Sequence, residues 1–221
     1  MQKMKTSATS MKRSTLAREA GILYSLYVLP GLFGSFGETA GRIETAGAIT
    51  GTTVFHLAFV FLILYLSAFP VDFERRSSIP ASVTGAAGIA ILLIVVSGLV
   101  QFVFGPVFSH EPALIVPEAG DSIGWIALTI LITTTGLSEE LFFRSYLLGT
   151  LRDIGIRTPA AIGISAAGFA VGHIYQGGTA VIFAFTAGVL LGVLWVRRPD
   201  LFRFALGHAA YNVFSLLISV Q

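Results

Sequence analysis

The stretch "TTTGLSEELFFRSYLLG", Thr133–Gly149, decides how this chain is read. Glu139, Glu140 and Arg144 sit inside a run that is otherwise apolar or weakly polar. In water such a run is a helix with a charged edge. The rest of the chain argues for lipid instead. Of its 221 residues 54% are hydrophobic and 12% charged, about half the charged share of a soluble domain, and mean hydropathy is +0.81. The reading is an all-α polytopic membrane protein. The isoelectric point near 9.1 reflects Lys and Arg flanking the spans, where anionic head groups rather than nucleic acid are the expected partner. There is no cysteine, which excludes disulfides, thiolate metal sites and a cysteine nucleophile.

Apolar segments of spanning length recur at 19–37, 47–69, 80–104, 122–148, 159–175, 179–196 and 201–220. Pro30 and Gly31 weaken the first. The fourth is long for one crossing, so a short interfacial helix from Leu141 or after Gly149 is expected within it. Residues 1–18 form a basic tail (Lys3, Lys5, Lys12, Arg13, Arg18), 19–121 hold three N-terminal spans, and 122–221 form a C-terminal membrane core. The long basic region and the lack of a small-x-small cleavage site favour an uncleaved first span over a signal peptide. Lys and Arg alternate from loop to loop. Arg75 and Arg76, Arg152 and Arg157, and Arg197, Arg198 and Arg203 fall on the side of the basic tail. The first loop has only Arg42, beside Glu38 and Glu44, and the remaining loops and the C-terminus have none. This pattern predicts about seven spans (eight if a short helix is hidden), with the N-terminus cytoplasmic.

An ionised residue near the middle of a membrane helix costs ~2.5–3.5 kcal/mol, so three cost roughly 8–10 kcal/mol before compensation. Glu140 and Arg144 are i, i+4 and lie about 40° apart on an α-helix, close enough to pair. Glu139, about 100° away from Glu140, needs another partner or an aqueous cavity. A buried ion pair with a spare glutamate near the interface is the plain structural alternative. Partners for Glu139 exist in later spans. His173 lies in the fifth, and His208 and Asn212 share one face of the seventh. At 1.5 Å per residue from the cytoplasmic loops, Glu139 lies about 20 Å deep, His173 about 22 Å, Asn212 about 17 Å and His208 about 11 Å. Convergence on one cavity is allowed.

Such a cavity has two chemistries open to it. A carboxylate with an imidazole polarises water, and His plus Asn on one face donate hydrogen bonds to a developing oxyanion, which together describe peptide or ester hydrolysis. Alternatively Glu139, His173 and His208 hold a zinc ion. No HExxH pattern is present. Elsewhere, Gly168 and Gly172, and Gly188 and Gly192, are small residues at i, i+4 that let membrane helices approach. His56 and Gln101 are lone polar groups expected to bond a neighbouring helix, with His56 also a candidate cavity residue. His110, Glu111, Glu118 and Asp121 read as a solvated outer loop. Trp125 and Trp195 read as interfacial anchors.

These residues resemble a known family. "EELFFR" (Glu139–Arg144) matches the EExxxR motif of the CPBP intramembrane proteases, the CAAX prenyl protease type II or Abi group. "FAVGH" (Phe169–His173) matches its FxxxH motif, and "HAAYN" (His208–Asn212) its HxxxN/D motif. "FTAGVLLG" (Phe185–Gly192) is similar to its glycine-bearing segment. The resemblance covers roughly 122–221. It implies a glutamate-type intramembrane endopeptidase with Glu139 as general base, His173 helping to activate the water, and His208 and Asn212 as oxyanion site. Glu140, Arg144 and Phe169 would support them. The family was long called metal-dependent, and metal-free hydrolysis is now favoured. The implied partners are a prenylated or membrane-anchored protein or peptide and the bilayer itself. A catalytically incidental immunity or binding protein is the second reading. A proton-coupled transporter is the third, and the absence of an internal repeat speaks against it.

Overall fold

The computed structural model describes residues 2–34, 46–66, 78–108 and 122–219. Within them the chain is helical, with no strand. Helices α1 (Gln2–Gly34), α2 (Ala46–Leu66) and α3 (Ile79–Phe104) precede α4 (Ser122–Glu139). A π-helical segment, Glu140–Leu147, then runs directly into α5 (Leu148–Asp153). Then follow α6 (Thr158–Val171), a 3₁₀ turn (Ile174–Gln176), α7 (Gly178–Arg197) and α8 (Leu201–Ser219). Counting α4, the π segment and α5 as one rod, seven rods match the seven expected segments. Among the described residues four stretches are long and apolar enough to cross a membrane: Ile79–Phe104, Trp125–Asp153, Gly178–Arg197 and Leu201–Ile218. Thr50–Tyr65 and Thr158–Val171 are apolar but shorter.

Several expectations change. No interfacial helix breaks away at Leu141 or Gly149; the rod continues to Asp153. It stops in a Schellman arrangement, with Gly155 N–H on the Arg152 carbonyl and Ile156 N–H on that of Leu151 (both 3.0 Å). Gly155 takes φ +100°, which a side chain would resist. Pro30 and Gly31 do not end α1, which continues to Gly34. The fifth helix ends at Val171, four residues short of the expected boundary, so His173 lies just beyond it. Trp195 is no interfacial anchor. It is buried and stacks edge-on against Phe204 at 5.2 Å. Trp125 is exposed. The loop groups Glu38, Arg42, Glu44, Arg75 and Arg76, and His110, Glu111, Glu118 and Asp121, lie outside the described residues.

The helices pack through small residues. A Cβ on Gly188 would meet Ala166 at 2.9 Å and one on Gly192 would meet Ile162 at 3.0 Å, so α7 lies tight on α6. Gly207, not singled out in the sequence, does the same for α8 against α3: its Cβ would fall 2.7 Å from the Ala86 carbonyl oxygen and from Ile89 Cβ. Asp200 pins the same interface. It caps α8 by accepting the Arg203 N–H (3.1 Å), and it accepts a hydrogen bond from Ser82 Oγ on α3 (2.8 Å). The π segment lies at the centre. Leu141, Phe142, Phe143, Tyr146 and Leu147 are all buried, and Phe142 packs its ring against Tyr24, Tyr27 and Phe59. The outer surface is strongly apolar, with Phe102 82% and Phe61 69% exposed. Large apolar side chains turned outward on this scale fit lipid rather than water.

Gly207→Ala therefore destabilises the α3–α8 contact by about 1–3 kcal/mol, because backbone must yield to the added methyl group. Gly98→Ala, on α3 where nothing lies within 4 Å of the added atom, is neutral or stabilising. Thermal unfolding of the two variants in one detergent checks the contrast.

Candidate active site

The site is built where the rod of α4 passes from α to π geometry. A π turn closes with i→i+5 hydrogen bonds and takes one more residue than an α turn. Leu148 N–H closes it on the Phe143 carbonyl, which also accepts a hydrogen bond from Ser165 Oγ of α6 at 2.7 Å. Glu140 and Arg144 pair as expected: Arg144 Nε lies 3.2 Å from Glu140 Oε2, with both side chains buried. The remaining Arg144 nitrogens, NH1 and NH2, have no hydrogen-bond partner among the described residues. The guanidinium instead lies over the Phe169 ring, 4.4 Å from its centre. A desolvated cation is well served by such a π face.

Glu140 has a second partner that sequence reasoning missed. His208 Nδ1, from α8, donates to Glu140 Oε1 at 2.7 Å. The other ring nitrogen, Nε2, lies 3.5 Å from Glu139 Oε2. One imidazole thus bridges the two adjacent glutamates. The chain of contacts runs Arg144, Glu140, His208, Glu139, from the dry core to the edge of a cavity. Buried charges are tolerated when each is matched by an opposite neighbour and a hydrogen bond. Glu139 needed a partner from another span, and α8 supplies it.

His173 stands outside its helix but in the same place. Its Nδ1 lies 2.8 Å from the Phe169 carbonyl oxygen. A carbonyl only accepts, so Nδ1 carries the proton and the neutral ring keeps its lone pair on Nε2. Phe169 explains why an aromatic residue precedes this histidine by four. Its ring lies 4.6 Å from His173, 6.2 Å from His208 and 5.1 Å from Phe143, and it carries Arg144 on its face.

Two cavities of about 490 and 510 Å³ meet at these side chains. Thr135, Glu139, Phe169, His173 and Tyr175 line both. The first also receives His208 and Asn212, together with Ser97, Gln101, Gln176 and Ser215. The second is bounded by Tyr27, Phe55, His56 and Phe143. Gln101 thus faces a cavity rather than a packed helix. His56 does both: it shares a hydrogen bond with Thr135 Oγ1 of α4 (3.0 Å) and lines the aromatic chamber. Thr135 and Tyr175 were not legible as site residues, because a threonine in an apolar helix and a tyrosine in a short loop carry no signal of their own. Beside them Tyr27 is held by Ser138. The Ser138 hydroxyl donates to the Thr135 carbonyl (2.9 Å), so the Tyr27 hydroxyl donates to Ser138 Oγ (3.0 Å). For zinc the fit is poor. Among the described residues no three His, Asp or Glu side chains are grouped to hold one metal ion.

The fold and site define a helical membrane protein with a carboxylate–histidine centre inside its helix bundle. Residues 121–214 match the family described as type II CAAX prenyl endopeptidase Rce1-like, consistent with the CPBP intramembrane proteases. The match covers somewhat less than half of the chain, and that segment contains every residue of the Arg144–Glu139 contact chain together with His173 and Asn212. Neither the curated proteins nor the solved structures compared with the chain yield a match. The family supports a membrane-embedded protease acting in a bilayer on a membrane-associated substrate.

Glu140→Gln leaves Arg144 buried without its counter-charge and is expected to cost about 3–5 kcal/mol. Adding Arg144→Met recovers a good part of that loss, because no unpaired charge then remains. Denaturant unfolding of both variants in mixed micelles gives the comparison.

Proposed function

We propose that this protein is a glutamate-type intramembrane endopeptidase that hydrolyses a peptide bond of a prenylated or membrane-anchored protein or peptide. The observation that carries this reading is the Glu139 carboxylate, 3.5 Å from His208 Nε2, in a cavity it shares with His173 and Asn212. Glu139 takes a proton from water as the oxygen attacks the scissile carbonyl carbon. His173, with its Nδ1 proton committed to Phe169, offers Nε2 to orient that water. The electrons of the C=O bond move to oxygen. His208, doubly protonated between two carboxylates, turns its Nε2–H from Glu139 to this oxyanion, and the Asn212 amide donates beside it. Collapse breaks the C–N bond, and the proton held by Glu139 passes to the leaving amine. Arg144 and Glu140 keep His208 in place.

The two chambers suit such a substrate. The chamber holding Ser97, Gln101 and Asn212 offers hydrogen bonds to an extended peptide, and the one formed by Tyr27, Phe55 and Phe143 suits an apolar group. The alternating loop charges support seven spans in a cell membrane if the host is prokaryotic, a cytoplasmic N-terminus and a site nearer the cytoplasmic side. The mechanism needs no cofactor. Zinc held by Glu139, His173 and His208 is the alternative that their grouping speaks against, and metal analysis of active protein tests it. A catalytically incidental immunity or binding role would leave the same residues without turnover.

In liposomes with a candidate membrane peptide, Glu139→Gln is expected to lose activity by at least ~10²-fold. Asn212→Ala should lose ~10²–10³-fold in kcat with little change in KM. Wild-type rates in folded Glu139→Gln would remove Glu139 from the reaction.

A further inference from the structure

A third cavity lies away from the site, where α3, α7 and α8 meet. It has a volume of about 370 Å³ and is lined by Arg197, Arg198, Arg203, Ile89, Leu194 and Phe204 over a floor of Gly85 and Gly88. Three guanidinium groups around an apolar hollow are not a generic helix end. Arg203 lies flat against α3 because Gly85 lacks a side chain; a Cβ there would fall 2.5 Å from Arg203 Nε. Asp200 lies 3.7 Å from Arg203 NH2, and its oxygens are also engaged by Ser82 and by the capped N–H of α8. That leaves Arg197 and Arg198, both exposed and, among the described residues, in no ion pair. At Gly88 nothing lies within 4 Å of where a side chain would start, so the hollow stays open between the arginines and the lipid-facing surface.

We propose that this cavity binds the phosphate of an anionic phospholipid head group, with Arg197 and Arg198 as its ligands. Guanidinium forks match phosphate oxygens, and basic pockets between membrane helices suit anionic head groups. Ile89, Leu194 and Phe204 then receive the start of the lipid's apolar portion. Because the site joins α3 to α7 and α8, an occupied cavity ties an N-terminal helix to the C-terminal core without touching the glutamate–histidine centre. The inference does not depend on the proposed hydrolysis.

Native mass spectrometry of the purified full chain tests it, with phosphatidylglycerol, phosphatidylcholine and inorganic phosphate added in separate titrations. Phosphatidylglycerol is expected to bind at least tenfold more tightly than phosphatidylcholine. Arg197→Gln/Arg198→Gln should weaken it by roughly 30-fold, while Arg152→Gln/Arg157→Gln, exposed arginines elsewhere, should not. Gly88→Leu keeps every charge but fills the hollow and should also lose the lipid. Should Gly88→Leu fail to fold, the arginine pair decides alone, its side chains being exposed. Equal binding by wild type and the Arg197/Arg198 variant overturns the proposal. So does equal affinity for the two lipids, or inorganic phosphate displacing phosphatidylglycerol at equal concentration, which would make the site one for a free anion.

Discussion

Glu140 is a carboxylate with no access to water, held between Arg144 on its own rod and His208 on α8. Every other feature of the centre depends on that arrangement. In a low-dielectric interior a charge survives only if its neighbours replace the water it lost. Arg144 does so from one side and is itself carried on the Phe169 ring. His208 does so from the other, and the bond at Nδ1 orients its second nitrogen toward Glu139. A side chain that serves only to balance charge thereby sets the direction of the imidazole at the cavity.

The packing around the bundle keeps this geometry in place. His208 reaches Glu140 because α8 is drawn close to α3 at Gly207 and held there by Asp200 and Ser82. His173 reaches the same cavity because α6 ends early, after lying tightly on α7 through Gly188 and Gly192. The π segment adds a residue to the turn that carries Glu140 and Arg144, directly after Glu139, and Ser165 shares its Phe143 carbonyl. Such segments occur often at functional sites. Here the segment coincides with the only stretch among the described residues where two acidic side chains and a basic one are embedded together in the bundle.

Much of this was legible along the chain. Apolar runs located six of the seven rods to within about five residues, since hydrophobic length is a local property, whereas α1 starts at Gln2, in the basic stretch that no apolar pattern marks. The Glu140–Arg144 pair followed from helical spacing, and counting depth allowed Glu139, His173, His208 and Asn212 to converge without requiring it. The errors have physical causes. His173 was placed in a helix because Ile174 and Tyr175 carry the apolar run a few residues past the helix end. Trp195 was read as an anchor from its position near a helix end, but Phe204 of the following helix covers it. Glu139 was expected to find its partner in a later span, among His173, His208 and Asn212, and His208 is the one that lies against it.

By itself the sequence determined that the protein lives in lipid, that its helices number about seven, and which few polar residues it could not leave unmatched there. Those follow from transfer free energies and helical period, which act residue by residue. Only the tertiary structure decided which histidine bridges the two glutamates, that the turn bearing Glu140 and Arg144 is π rather than α, and that two chambers meet at Glu139. Those depend on how closely separate helices approach, and that distance is set by glycines, caps and ring contacts hundreds of atoms apart along the chain.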